Sequence, residues 1–507
     1  MAKKIMVQGT GSGVGKSVIV AALCRIFTQD GYKVAPFKSQ NMALNSYVTA
    51  DGLEIGRAQA FQASAARKEP TVEMNPILLK PSSDTGAQVI VRGKPIGNMT
   101  AKEYHDYKPR ALNLIKDCFE QLERENDIVV IEGAGSPAEV NLRANDIVNM
   151  RIAKLLDAPV LLLGDIDKGG VFAWIVGTLE LLEEEERELV KGILINKFRG
   201  DMEILKPGLE FLEKRVNKPV IGVIPYFHDI RIQEEDSLSV EKGKTRIAGE
   251  GIRIEVVYLP HISNFTDFDA LEAEDSVSLR YVGKAGKIGE PDVIIIPGSK
   301  NTISDLQYLK NHGYASQILE KTRRGKCIVF GICGGYQMLC NTIIDPEGVE
   351  SQLREIAGLG LLPATTIFES HAQKMTHQVR AIANLEFYKG EIEGYEIHMG
   401  RTYISNGDIK TAFTIIMRSG EKVLDDGGGA VSGNIIGTYI HGIFDNDGFR
   451  QAFLNHVRRE KGLSTLTINE TKSECCGIDW EIEYNKLADV VRRSIVMNKI
   501  YEITNCI

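Results

Sequence analysis

Two stretches of this 507-residue chain carry residue types at a spacing suited to chemistry. The first is Gln8-Gly9-Thr10-Gly11-Ser12-Gly13-Val14-Gly15-Lys16-Ser17, placed between a β-rich run and a helical stretch. Glycines such as Gly9, Gly13 and Gly15 let a loop curl until its backbone N–H groups, Thr10 included, point at phosphate oxygens. The following helix start adds positive potential, Lys16 neutralises β/γ charge, and Ser17 offers a hydroxyl to Mg²⁺. The spacing departs from the strict Walker A pattern, because the first glycine belongs where Thr10 stands; Gly9 makes the loop one residue longer. Such a loop needs a carboxylate for its metal, and Glu132 supplies one at the end of the run Asp127–Glu132. Asp165 and Asp167 are further acidic candidates, and Asn196 ends the next strand in a position suited to reading a purine edge.

The second stretch is Phe330-Gly331-Ile332-Cys333-Gly334-Gly335-Tyr336-Gln337. An apolar strand runs into a cysteine, two glycines and a helix, the shape of a nucleophile elbow that exposes a side chain at a sheet edge and aims the next N–H, that of Gly334, at an oxyanion. Gly298, in Pro297-Gly298-Ser299, ends the preceding strand and is the candidate second oxyanion donor. A thiol nucleophile needs a base. His441 ends a strand and is followed by Gly442; His398 is the rival, and Glu396 could orient either histidine.

These groups require elements that hold them. Residues 5 to 230 alternate apolar runs (5–8, 34–36, 128–132, 160–164, 192–196, 220–224) with helix-length stretches, which predicts βαβ units in a parallel sheet covered on both faces. A charged, glycine-dotted segment then reads as a linker, and a second α/β pattern begins at Ile252 and becomes β-rich from 360 to 440. The expected organisation is two successive α/β domains: a nucleotide-binding domain over 1–232, a linker over 233–251, a second domain over 252–460, and a tail over 461–507. The tail carries a helix over 484–501 that is expected to dock on the second domain.

Composition restricts the functional classes. A chain of 507 residues exceeds one core, which stops growing near ~250–300 residues. A net charge of -8 lacks the basic excess of a nucleic-acid binder, and no apolar run approaches the ~18 residues of a membrane span. Met1-Ala2-Lys3-Lys4 leads directly into a strand without a signal-peptide pattern, which predicts a cytoplasmic protein. The 8 cysteines show no CxxC pair or metal-ligand spacing, so reduced thiols are expected; Cys327 and Cys340 read as core thiols, and Cys475 and Cys476 have no partner pattern. Oligomeric state is not legible.

The Cys333-Gly-Gly-Tyr-Gln segment with a later strand-end histidine resembles class I glutamine amidotransferases. Those usually end in His-Pro-Glu, with the glutamate orienting the histidine; here His441-Gly442-Ile443 leaves the third member missing from that place, as is typical of the cobyrinic and cobyric acid synthase family. The elongated loop resembles the dethiobiotin synthetase-like P-loop group. The segment 35–46 (Ala-Pro-Phe-Lys-Ser-Gln-Asn-Met-Ala-Leu-Asn-Ser) resembles the cobyric acid branch, as do 75–81, 136–142, 146–150, 164–170 and 196–201.

The resemblance implies a flavodoxin-like glutaminase fused to an ATP-dependent synthetase, with ATP, Mg²⁺ and L-glutamine used to amidate four side-chain carboxylates (b, d, e, g) of adenosylcobyrinic acid a,c-diamide. It implies a phosphorylated carboxylate, ammonia delivered in an enclosed path, and a corrinoid small molecule as the partner. Lys38, Gln40, Asn41, Lys80 and Asp146 are its candidate substrate-binding residues. The alternatives are a cobyrinic acid a,c-diamide synthase, against which the Ser-Gln-Asn-Met run argues, and a partitioning ATPase switch. The latter carries a signature lysine where Gly11 stands, and has no use for a cysteine elbow. A degenerate regulator would have lost Cys333 or His441, and both are present.

Overall fold

The computed structural model describes residues 2–83, 86–233, 251–284, 286–325, 327–369, 374–405, 409–466 and 477–506. Nearly all of the expected linker, and Cys475 and Cys476, lie outside the described residues. The chain forms two compact units. One comprises Met1–Ala43, Ile55–Gln233 and Asp479–Ile507, and the other Leu44–Glu54 and Glu234–Ile478.

The first unit is built on six parallel strands in the order Val220–Pro225, Val190–Phe198, Val160–Asp165, Lys3–Gly9, Ile128–Glu132, Val34–Phe37. Alternate side chains point to opposite faces, so Met6, Val129, Ile131 and Leu162 enter one core while Ile5, Val7, Val130 and Leu161 enter another. Burial on both faces explains why these strands read as continuous apolar runs. An excursion after the second strand forms a separate four-stranded sheet, Gln40–Met42, Ile77–Ser83, Gly86–Val91 and Lys94–Thr100.

The helical part of the tail, from Asp479 on, belongs to this first unit, which corrects the expectation that the tail helix docks on the second domain. Its helix Trp480–Ser494 places Tyr484, Leu487 and Val491 in the core that contains Ile19, Leu23 and Phe27 of the helix Lys16–Gln29. Arg25, fully buried, pairs with Glu481 and donates to Asn485 Oδ1 at 2.9 Å. The expected single tail helix is broken: Ile495 bridges Gly222, Val496 N–H donates to Ile221 O at 2.8 Å, and a short helix, Met497–Ile503, follows. A helical reading of the apolar spacing failed there because Ile495 pairs with a sheet edge.

The second unit carries a ten-stranded mixed sheet. Five parallel strands run Val277–Val282, Ile252–Val257, Val293–Ile296, Ile328–Ile332, Ile435–Thr438. The sheet then continues antiparallel through Glu421–Ser432, Lys410–Arg418, Met375–Asn384, Lys389–His398 and Ile440–His441. The parallel half delivers Cys333 at a strand end, and the antiparallel half delivers His441. Among the described residues no helix is long and apolar enough to cross a membrane.

Candidate active site

In the second unit the chain turns sharply after Ile328–Ile332, and Cys333 takes φ 52 and ψ -110, a positive φ that costs an L-residue roughly 1–3 kcal/mol and persists only where surroundings enforce it. Close approach enforces it here: a Cβ on Gly335 would lie 1.9 Å from Ile296 O, and one on Gly334 would lie 2.9 Å from Ser299 N. The glycines after Cys333 therefore let the elbow nest against 296–299, the segment carrying Gly298. A Cβ on Gly298 would in turn lie 3.1 Å from His441 Cε1, so this backbone, the elbow and His441 share one locality. Cys333 Sγ lies 3.4 Å from Ile397 O.

His441 is buried, with its Nδ1 2.6 Å from Asp267 Oδ2; the other oxygen, Oδ1, accepts from Gly442 N–H at 2.9 Å. Burial opposes the charged imidazolium, but the charge and hydrogen bond of Asp267, joined by Cys333, override it and push His441 up to about 10. Such a histidine is an imidazolium at neutral pH. Asp267 therefore fills the place that was empty after His441. It lies in the 3-10 turn Phe265–Phe268, inside Asn264-Phe265-Thr266-Asp267-Phe268, and only a search for carboxylates away from the usual ending could have found it.

The rival base is engaged elsewhere. His398 Nδ1 lies 3.0 Å from Gly400 O, its ring stacks on Tyr439 at 3.8 Å, and its Nε2 is 3.8 Å from Glu396. Glu396 is buried, which would raise it, yet His398 and Arg418 hold it down to about 2. It pairs with Arg418 at 2.8 Å and accompanies His398, while His441 is oriented by Asp267. Cys327 and Cys340 are buried as expected, and burial pushes their thiols up to about 12 and about 11, respectively.

In the first unit Lys16 Nζ donates to Gly11 O at 2.9 Å and Gly135 O at 3.0 Å, and so curls over its own loop. Ser17 Oγ donates to Glu132 Oε1 at 2.8 Å. Glu132 also pairs with Lys38 at 2.9 Å and accepts from Gln62 at 2.6 Å, while Asn41 Nδ2 donates to Gln59 Oε1 at 3.0 Å. Ser17 and Glu132 fit Mg²⁺: both present hard oxygen donors side by side at the loop. Among the described residues no group of three or more His, Cys, Asp or Glu forms a dedicated cage, and Mg²⁺ is commonly held by one carboxylate, a hydroxyl, water and substrate phosphate.

Gly13 and Gly15 both have positive φ, 69 and 100, and Gly9 packs so closely that a Cβ would meet Val14 Cγ2 at 2.5 Å. Other expected residues sit differently. Thr10 N–H donates to Leu163 O at 3.0 Å, which removes it from the amides aimed at phosphate. Asn196 is buried and its Nδ2 donates to Val14 O at 2.9 Å, so its amide nitrogen braces the loop while its Oδ1 has no hydrogen-bond partner. Asp165 pairs with Lys197 at 2.9 Å, and Lys197 reaches Gly13 O at 2.7 Å, while Asp167 pairs with Arg199.

Asp146, expected on the substrate side, spends its carboxylate on the backbone N–H groups of Val148 (2.8 Å), Asn149 (3.0 Å) and Arg151 (3.1 Å) at the start of the helix Met150–Leu156. Gln40 Oε1 accepts from Tyr104 OH at 2.7 Å, and Lys80 is buried in the four-stranded sheet opposite Gln88.

A phosphate-binding type of loop on a parallel sheet and a Cys–His–Asp cluster on a mixed one are the parts of a glutamine amidotransferase joined to a nucleotide-binding domain. Two family models match in the same order: a CobQ/CobB/MinD/ParA nucleotide binding domain over residues 5–240 and a CobB/CobQ-like glutamine amidotransferase domain over 253–449. The chain is 56% identical to the cobyric acid synthase of Thermoanaerobacter sp. (strain X514), covering 99% of each chain. It is 54% identical to that of Alkaliphilus metalliredigens (98% of this chain, 99% of the relative) and 55% to that of Clostridium botulinum (99% of each). The chain belongs to the cobyric acid synthase family, whose members are glutamine-dependent amide ligases.

Proposed function

We propose that this enzyme amidates the four side-chain carboxylates b, d, e and g of adenosylcobyrinic acid a,c-diamide, giving adenosylcobyric acid, with ATP activating each carboxylate and glutamine supplying the nitrogen. Full-length identity of 56% to a cobyric acid synthase supports the substrate. The observation that carries the chemistry is the 2.6 Å Asp267–His441 pair beside the strained Cys333 elbow.

The Cys333 thiolate attacks the side-chain amide carbon of glutamine, forming a C–S bond and moving an electron pair onto oxygen. The Gly298 and Gly334 backbone amides are the proposed stabilisers of that oxygen. When the electron pair returns and the C–N bond breaks, the His441 imidazolium donates a proton to the departing nitrogen and ammonia leaves. Neutral His441 then takes a proton from water as it attacks the thioester, releasing glutamate and restoring the thiolate–imidazolium pair. Asp267 keeps the imidazole oriented throughout.

In the first unit a substrate carboxylate oxygen attacks the γ-phosphorus of ATP, ADP departs, and ammonia displaces phosphate from the acyl carbon. Gly9, Gly13 and Gly15 shape the loop around phosphate and Lys16 balances its charge, while Thr10 and Asn196 hold the loop to the sheet. Ser17 and Glu132 would hold Mg²⁺, which when bound would supply charge neutralisation to the transferring phosphate. Lys38, Gln40, Asn41 and Lys80 are the proposed substrate-side groups; Asp146 is not among them. A cytoplasmic location suits a reduced-thiol nucleophile and an ATP-dependent reaction. A mass-spectrometric time course with the a,c-diamide, glutamine and ATP tests the reading: four successive one-unit mass decreases are expected. Consumption of cobyrinic acid itself would instead identify an a,c-diamide synthase.

A further inference from the structure

The short segment 44–54 leaves the stretch bearing Lys38 and Asn41 and returns before Gln59 and Gln62, yet it is part of the second unit. There it reaches two supports of the thiol site. The first is the turn that carries Asp267. That turn begins at Asn264, which has a left-handed φ of 52. Ser46 N–H donates to Asn264 Oδ1 at 3.0 Å, and Phe265 N–H donates to Asn45 Oδ1 at 3.3 Å, a reciprocal pair across the start of the turn. Asp267 N–H in turn donates to Asn264 O at 3.0 Å, so the placement of Asn264 is passed to the carboxylate that holds His441.

The second support is aromatic. The Tyr47 ring lies 6.0 Å from that of Tyr395, and the Tyr395 ring stacks on His441 at 5.3 Å with 17° between planes. Val48 forms a small buried cluster with Tyr395 and Ile397, and Ile397 O is the carbonyl beside Cys333 Sγ. Gln378 Nε2 donates to Val48 O, and a buried Lys374–Glu54 pair fixes the far end of the segment. Residues 45–48 thus stand one residue away from the groups that set Asp267, His441 and Cys333.

We propose that Asn45 and Tyr47 are positioning residues for the glutaminase reaction: although they lie in the nucleotide-binding half of the sequence, they hold the Cys333–His441–Asp267 geometry. The inference rests on the reading of Cys333 as nucleophile. Neither residue touches the reacting atoms; each acts through another. Productive geometry tolerates little displacement, and a misplacement of about 1 Å costs on the order of 10²-fold in rate.

Asn45→Ala and Tyr47→Ala in the full chain should each lower glutamine-dependent kcat by about ten- to a hundredfold. The KM for glutamine and the ammonia-dependent amidation should stay near the parent values. Tyr47→Phe, which keeps the ring, should restore kcat. The rate of Cys333 alkylation by iodoacetamide, followed against pH, should shift its midpoint upward in the two alanine variants, because a less well-held His441 stabilises the thiolate less. Labelling of the parent at Cys333 by a chloroketone analogue of glutamine is the control. Absence of that labelling overturns the nucleophile assignment itself. With labelling intact, unchanged kcat and alkylation profiles in the alanine variants overturn the positioning role alone. Parallel loss of ammonia-dependent amidation in both variants also overturns it, since the segment would then serve the whole fold.

Discussion

In the nucleotide-binding unit the charged groups are bonded to partners that a bound phosphate or metal must displace: Lys16 sits on Gly11 O and Gly135 O, and Glu132 is ringed by Ser17, Lys38 and Gln62. In the glutaminase unit the pairing proposed for the reaction is already formed, with His441 on Asp267 at 2.6 Å and Cys333 held in its elbow. The two sites differ in what they must recognise. Phosphate is bound largely by backbone N–H groups and a mobile cation, so a loop can wait in a self-satisfied state. A thiol attack on a neutral amide needs the ion pair formed beforehand, and buried charges must be paired at all times.

The largest break in this comparison should come from Cys333→Ser, which is expected to lower glutamine-dependent amidation by about 10⁵-fold while ammonia-dependent amidation persists. Measuring both nitrogen sources in one preparation checks it, and normal glutamine use would remove Cys333 from the mechanism. Lys16→Ala should depress both activities by about 10³-fold, because carboxylate activation precedes either nitrogen source. A loss confined to glutamine would reverse the assignment of the two units.

Asp267→Asn sharpens the contrast further, with glutamine-dependent kcat expected to fall by about 10²-fold; a cysteine is intrinsically more nucleophilic than a serine and depends less on its third partner. It also carries a pH signature. His441 is raised from 6.5 to about 10 in the folded chain, so its contribution to stability is fully present below pH 6.5 and is lost as pH rises through 10. Denaturant midpoints should therefore show Asp267→Asn most destabilising near pH 6 and approaching the parent by pH 10. A gap that widened with pH would contradict the ion pair. The smallest effect is reserved for Asp146→Ala, expected to cost about 1 kcal/mol of stability through the lost cap, with the KM for the corrinoid unchanged. A raised KM would return Asp146 to the substrate side.

The nucleotide loop was legible because its function is nearly contiguous: residues 9–17 supply the amides, the lysine and the hydroxyl, and Glu132 ends a readable strand. Cys333 was legible through the two glycines that the close approach at Ile296 and Ser299 requires. Asp267 was not, since an aspartate in a short turn carries no periodicity or motif, and 174 residues separate it from His441. A related reason bears on Asp146, where nearness along the chain to Glu132 suggested a ligand and folding instead spent its carboxylate on backbone N–H groups. The tail was misread because an apolar helical face specifies that it must be covered, without specifying which core covers it.

Residue order alone determined that this chain has two α/β units, a phosphate loop ending in Lys16-Ser17 and a cysteine elbow at 333, because local periodicity and glycine spacing dictate strands, helices and tight turns. The tertiary structure decided which carboxylate partners His441, which unit receives the tail helix, and that residues 44–54 belong to the glutaminase unit. Those choices depend on pairing charges and covering apolar faces between segments far apart in the chain, a balance of packing and desolvation that no local pattern contains.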